Sequence, residues 1–599
     1  MNHFNTFWAG VRSLAMALCC KSTGLALALS GLLAPAVQAQ APAWQQALGL
    51  APTTPAATQL RGMATDASGN VYVAGYFEGT LTLGNTTLTS VGGRDVLVAK
   101  WQPSTSTWLW AQRAGGTTDD YATALAVSGN NVYVTGQFDS ITADFGATTL
   151  TNAGTSGTSG DVFVLKLTDS GSSTINWAQR AGGIFGDRAQ AIAVSGTGVY
   201  ITGVYSSSTA DFGSTTLTWV NSPTGGGDIF VAKLVDSGST GQFAWAISAG
   251  GDGNDRAYAL AVQGSSIYIA GDYSGSTATF GGTQLLNVPP PPSDFSYNAF
   301  VSRLTEYGAG PAFDWATQLG GTGNEVGQAL LWHNGSLYLA GSFTSSSMLV
   351  GSDILTNAGG SASPATADAF LARLVDRNVG GQFMWAQQLG GPGNEAALAL
   401  AARADGIYVA GLFSSASIGS GNTLLTNTGP VSTREVWVAR YRSAAASAQL
   451  EWARAAGGVA DDQANALVLT GNLVVVGGTV TPAATFGPQA ISASAGTLTG
   501  FVATLADPVL NATTAAAVGT LQLAPNPATG RTLLHLPPTL QAAGATLTLA
   551  DGLGQVLRTT AVPGGAAAYP LDLSGLTPGL YLVRLSNGGT QLTRRLVVE

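Results

Sequence analysis

The string WAQRAGG occurs twice without change, at Trp110–Gly116 and Trp177–Gly183, and looser copies begin at Trp44, Trp245, Trp315, Trp385 and Trp452. Successive copies stand 66 to 70 residues apart. A fixed period of this size means that one supersecondary unit is stacked on copies of itself, so any fold must explain seven similar units rather than one globule. Each copy continues in the same order. An acid follows ten residues after the Trp (Asp120, Asp187, Asp255, Glu325, Glu395, Asp462), and the first copy departs from this with Gln59. An Ala-rich run comes next, then a run such as VYVTG or IYIAG. A pattern such as ADFGATTLTN follows, and finally a run such as DVFVLKL.

These runs are short, β-branched or aromatic, and separated by Gly, Ser, Asn and Asp, which predicts strands joined by turns. Their apolar character is nearly continuous, so the strands are expected to be covered on both faces. Four strands per period in an all-β chain predict a seven-bladed β-propeller over 40–505, with repeats of about 68 residues. The Ala-rich strand is expected innermost and the Trp strand outermost. The chain starts on a Trp strand and ends its repeats one Trp strand short, so the N-terminal strand is expected to close the last blade and remove an exposed sheet edge. These motifs resemble the SBBP-type propeller repeat of exported bacterial proteins. That resemblance implies a fold and leaves function open.

The N-terminus reads as an export signal over 1–39. Arg12 and Lys21 precede the apolar LALALSGLLAPA, and small residues lead to cleavage near Ala39. The apolar run is too short and too broken by Gly31 and Pro35 to predict a membrane span. A lipoprotein reading, with Cys19 or Cys20 acylated, is set against it by the apolar core following those cysteines. Cleavage removes both cysteines of the chain and leaves 22 basic against 33 acidic residues. Disulfides and thiolate chemistry are then excluded, and an acidic chain without a basic run does not predict a nucleic-acid partner.

Past a linker at 506–520, strand-like runs alternating with Gly turns predict a small β-sandwich over 521–599. Pro525, Asn526 and Pro527 open it. Asp551, Gly554 and Gln555 lie in its middle, Pro578, Gly579 and Tyr581 follow, and LVVE ends the chain. This order resembles the type A C-terminal sorting domain of type IX secretion in Bacteroidetes. The resemblance implies recognition by the outer-membrane translocon and delivery to the cell surface or medium.

Catalytic signatures are missing from the sequence. His333 and His535 are the histidines that remain after cleavage, and neither sits in a setting that suits a triad or a zinc site. The acid ring of Asp120, Asp187, Asp255, Glu325, Glu395 and Asp462 has two readings. Each carboxylate accepts backbone N–H bonds in its own turn, or the ring draws a cation such as Ca²⁺. Otherwise no cofactor is expected. Function is expected where repeats differ, in the segments before each DVFV-type strand. There Trp219, Phe295 and Tyr297 either stack on sugar rings or cover their own blade. A non-enzymatic module binding a glycan or a protein is the expectation. A structural coat component and a polysaccharide hydrolase or lyase are the alternatives.

Overall fold

In the computed structural model every named element among the described residues is a β-strand. It describes residues 41–599 except 54–55, 156, 158, 221–225, 288–295, 309, 361–365, 421–422, 431, 493–496, 508–509, 511–520, 537–544, 552–554, 564–567 and 588–589. The signal-like segment and Phe295 and Gly554 therefore lie outside the described residues.

The repeats form seven antiparallel sheets with four main strands each, three of them extended to six by a further pair of short strands, here numbered in chain order. Sheet 2 shows the plan. Its inner strand is Asp120–Ser128, followed by Asn131–Phe138, Asp161–Asp169 and the outer strand Ser173–Ala181. Sheet 7 takes three strands from the end of the repeats (Gln463–Thr470, Leu473–Val480, Thr499–Ala506) and its outer strand from the start, Trp44–Leu50, with Ala47 opposite Ala503. The inner strands neighbour one another in order: Thr58–Thr65, Asp120–Ser128, Asp187–Ser195, Asp255–Gln263, Glu325–His333, Glu395–Arg403 and Gln463–Thr470. The last of these neighbours the first.

The core lies between the sheets. One apolar cluster joins sheets 1 and 2 through Tyr72, Trp110, Leu125 and Phe138. Equivalent clusters join each later pair, and another joins sheet 7 to sheet 1 through Leu50, Leu60, Val73, Val475 and Val502. Burial on both faces is the physical reason the strand sequences fail to alternate; Val71–Phe77 is buried at every residue.

Three features add to the sequence reading. First, the ADFG-type pattern forms a two-stranded hairpin, such as Thr142–Phe145 with Thr148–Thr151. It attaches to the Gly pair that ends the preceding outer strand: Ala143 pairs with Gly116, Ala278 with Gly251 and Ala484 with Gly458. A Cβ on Gly116 would meet the Thr142 carbonyl oxygen at 2.3 Å, and one on Gly183 would meet that of Thr209 at 2.2 Å, so glycine is required where the two backbones touch. Second, every inner strand carries a β-bulge at the same register, inserting Arg61, Thr123, Gln190, Tyr258, Gln328, Leu398 and Asn465 in turn. Third, the register corrects the first repeat. Thr58 pairs with Phe77 as Asp120 pairs with Phe138, so the residue equivalent to the acids is Thr58, not Gln59. A longer connection after Trp44–Leu50 defeats counting along the chain.

The C-terminal residues form a three-stranded sheet (Gln522–Ala524, Arg531–His535, Ala568–Asp572) and a four-stranded one (Val556–Val562, Ala545–Ala550, Gly579–Asn587, Thr590–Val598). Alternate residues such as Leu534, Leu547, Leu549, Val583, Leu585 and Leu596 share one buried core.

Candidate functional site

The acids that recur once per repeat are all buried at the start of an inner strand. Asp187 Oδ2 accepts from the Gly183 N–H at 2.6 Å and the Ser207 hydroxyl at 2.8 Å, while its Oδ1 accepts from the Ser206 N–H at 2.8 Å. Asp120 is held alike by Gly116 and Ser140, Asp255 by Gly251 and Ser274, Glu325 by Gly321 and Ser345, Glu395 by Gly391 and Ser415, and Asp462 by Thr481. Each carboxylate thus ties the exit of one sheet to the hairpin of the next.

Five of the six have a second buried acid beside them, at the start of the preceding sheet's third strand, Glu435 serving Asp462, while Glu325 has Asn298 there. Beside Asp120 lies Asp95, beside Asp187 lies Asp161, beside Asp255 lies Asp228 and beside Glu395 lies Asp368. The glycine between them marks how close they are. A Cβ on Gly115 would lie 2.6 Å from Asp95 Oδ1 and 2.9 Å from Asp120 Oδ2. Burial first, and the neighbouring carboxylate second, raise these groups. Asp120 and Asp161 are pushed up to about 6. Burial alone carries Asp228 to about 7 and Glu325 to about 7. Among the described residues no three His, Cys, Asp or Glu side chains come together as a group that could hold a metal ion.

The opposite end of sheets 1 to 4 carries a second repeated device. Tyr133 donates to Asp236 at 2.7 Å, Lys166 Nζ lies 2.6 Å from the same oxygen, and Trp177 Nε1 donates to its other oxygen at 3.0 Å. Tyr, Lys and Trp belong to sheet 2 and the acid to sheet 3. Sheets 1 and 2 are joined the same way at Asp169, sheets 3 and 4 at Glu306, and sheets 4 and 5 at Asp376. Burial works against ionisation, yet the Lys166 and Tyr133 bonds hold Asp236 down to about 2.

A different kind of cluster lies on the inner strands of sheets 1 to 3, near the acid pairs. Tyr121 is buried between two guanidinium groups, with Arg61 at 5.1 Å and Arg188 at 5.3 Å from its ring centre. Arg188 donates to the Tyr121 hydroxyl at 2.6 Å and to Gln137 at 2.7 Å, and Arg61 donates to Gln59 at 2.9 Å. Arg61 is the bulge residue of its strand. Burial lowers its guanidinium below the ordinary range, and Arg188 and Arg94 add to this against the opposing influence of Tyr121. In sheet 4 the matching place holds Arg256 on Asp272, at 2.9 and 3.1 Å, beneath the ring of Tyr297 at 4.6 Å. Sheets 5 and 6 hold Val326 and Ala396 there.

The structure therefore places Tyr297 beside the inner strands, on Arg256. It places Trp219 half-buried against the core between sheets 2 and 3. These two are not brought together. The arginine and tyrosine cluster was missed by sequence reasoning because the positions are apolar or neutral in other repeats, and only their departure from the repeat pattern marks them.

In the C-terminal unit, Asn526 Nδ2 donates to the Arg595 carbonyl at 2.8 Å and its Oδ1 accepts from the Val597 N–H at 2.9 Å, fixing the last strand. Thr532 bonds the Pro525 carbonyl at 2.7 Å, and the Tyr581 hydroxyl donates to the Thr577 carbonyl at 2.7 Å, one residue before Pro578. Gln555 N–H closes a turn on Asp551 at 2.9 Å, and Gly579 opens the strand that pairs with the chain end.

Residues 522–599 match the family model described as a secretion system C-terminal sorting domain. No curated protein matches the chain. Among solved structures, a crystal structure of a protein of unknown function from Dyadobacter fermentans matches with a TM-score of 0.34 and 8% identity, covering 77% of this chain and 98% of that one. A likeness that weak carries no argument.

Proposed function

We propose that residues 40–505 are a seven-bladed β-propeller that acts as a non-enzymatic binding module on the cell surface or in the medium, taking a glycan or a protein. The sorting domain makes the chain a protein secreted through the type IX system. The translocon is then the partner of residues 522–599, after removal of the signal segment near Ala39. The cyclic order of inner strands and the core between sheets 7 and 1 support the propeller reading.

The observation that carries the binding reading is the break in repeat symmetry at the inner strands. Residues that hold the fold recur in most repeats; Arg61, Tyr121 and Tyr297 stand alone and an arginine at the Arg188 place recurs only as Arg256, and side chains of this kind gather where a surface recognises something. The repeated acid pairs support a structural role in preference to glycoside hydrolysis. A general acid must reach the scissile oxygen, and these carboxylates are buried within their own turns. The test is retention of the full chain on a panel of immobilised bacterial, algal and plant polysaccharides, with and without Ca²⁺. Retention on none of them would remove the glycan half of the reading and leave a protein partner or a structural coat role.

A further inference from the structure

Two cations of the inner-strand cluster, Arg61 and Arg188, flank one tyrosine ring. Acids outnumber bases, and Lys100, Lys166, Lys233, Arg256 and Arg303 each sit on a carboxylate. Arg61 and Arg188 have no carboxylate within ion-pair distance among the described residues. Both face the same tyrosine ring, and Arg188 lies near enough to disfavour the charge on Arg61. Asp139 feels the charge of Arg188 without an ion-pair contact and is bonded to Gln137 at 2.6 Å. Two partly buried guanidinium groups held near one another without an ion-paired carboxylate repel, and an anion bound within reach of both offsets that repulsion. A side-chain amide bonds each guanidinium group, Gln59 on Arg61 and Gln137 on Arg188. An amide both donates and accepts, as a sugar hydroxyl does, so it pairs with hydroxyls in either sense.

We infer that Arg61 and Arg188 form an anion-recognition site for an acidic polysaccharide, the guanidinium groups taking a uronate carboxylate or a sulfate ester and the amides taking neighbouring hydroxyls. This rests on the binding reading above and names its substrate class. The net negative charge of the chain repels polyanions at long range, so such binding is local to the site.

The experiment compares retention of the full chain on immobilised polygalacturonate, dextran sulfate and unmodified dextran, for the parent and for Arg61→Gln with Arg188→Gln. The site predicts retention on one or both acidic matrices, none on dextran, and binding about tenfold weaker in the double variant. The two acidic matrices separate carboxylate from sulfate recognition. Equal retention on dextran, or acidic retention that the double variant leaves intact, overturns the site while the binding reading stands. Retention on no matrix overturns the site and removes these polymers from the wider reading. Should the double variant fail to fold, a salt titration of the parent decides, since retention that rising salt does not weaken overturns the site.

Discussion

The smallest repeated unit of this protein is a pair of buried carboxyl groups around one glycine. In four pairs the second acid leaves an oxygen without a hydrogen-bond partner: Asp95, Asp161, Asp228 and Asp368, each at Oδ1. A proton held within the pair removes both the unmet oxygen and the repulsion between charges, which is why burial and the neighbour raise these groups together. The sign for stability follows. A carboxyl at about 6 or 7 in the fold and near 4 in the open chain binds its proton more tightly when folded, so its contribution is greatest below about pH 4 and is lost as pH rises to 7. Asp236, held at about 2, works the other way, its contribution being lost as pH falls from about 4 toward 2. The melting temperature is therefore expected to be higher at pH 5 than at pH 8, read by calorimetry; a flat or rising profile over that span would contradict the shared proton. Removing one carboxylate is a separate matter. Asp187→Ala strands the donors Gly183 N–H, Ser206 N–H and the Ser207 hydroxyl, and is expected to cost about 2–4 kcal/mol in denaturant unfolding. Asp187→Asn, which keeps one acceptor, is expected to cost less.

At the scale of elements, neighbouring sheets are joined by packing and by the Tyr, Lys or Arg, and Trp set that grips an acid of the next sheet. Asp236→Ala would leave Lys166 buried without its counter-ion, and a loss of about 3–5 kcal/mol is expected. The fifth sheet uses Ser443 and backbone carbonyls instead, so Ser443→Ala is expected to cost about 1 kcal/mol. Comparing the two variants by chemical unfolding separates an ionic grip from a neutral one. Much of this level could be read in the sequence. The Trp period gave the number of sheets and the place of the N-terminal strand, because large side chains recur where inter-sheet volume recurs. The partners of the repeated acids were less visible. Asp95 and Asp120 stand 25 residues apart, and only the pairing of strands brings them to one glycine. The hairpins escaped notice because four-residue strands carry little periodic signal. The arginine cluster escaped because a search for repeats passes over what occurs once.

For the whole molecule, the seam between sheet 7 and sheet 1 differs from every other. The registers put Val475 where the gripping Tyr stands elsewhere, Thr504 where the Lys or Arg stands, and Pro103 where the receiving acid stands. That seam keeps its apolar core, with Leu60, Val73, Val475 and Val502, and single bonds such as Asn465 Nδ2 to the Leu60 carbonyl at 2.8 Å. It lacks the ionic grip. Sheet 7 is also the one assembled from both ends of the repeat region, so its outer strand is covalently remote from its partner. Bringing remote segments together costs loop-closure entropy that adjacent strands do not face. Both facts lower the free energy of opening at one place, and local opening follows the least stable contacts. Native-state hydrogen exchange is expected to be fastest, among the sheet amides, in Trp44–Leu50 and the strands it meets, and slowest in sheets 2 to 4, where the ionic grip is complete on both sides. Deleting Trp44–Leu50 should leave Thr499–Ala506 as a bare edge and raise self-association above that of the parent chain. Uniform exchange around the seven sheets, with no added self-association in the deletion variant, would mean that the seam is as firm as the rest and that the missing grip has no energetic weight.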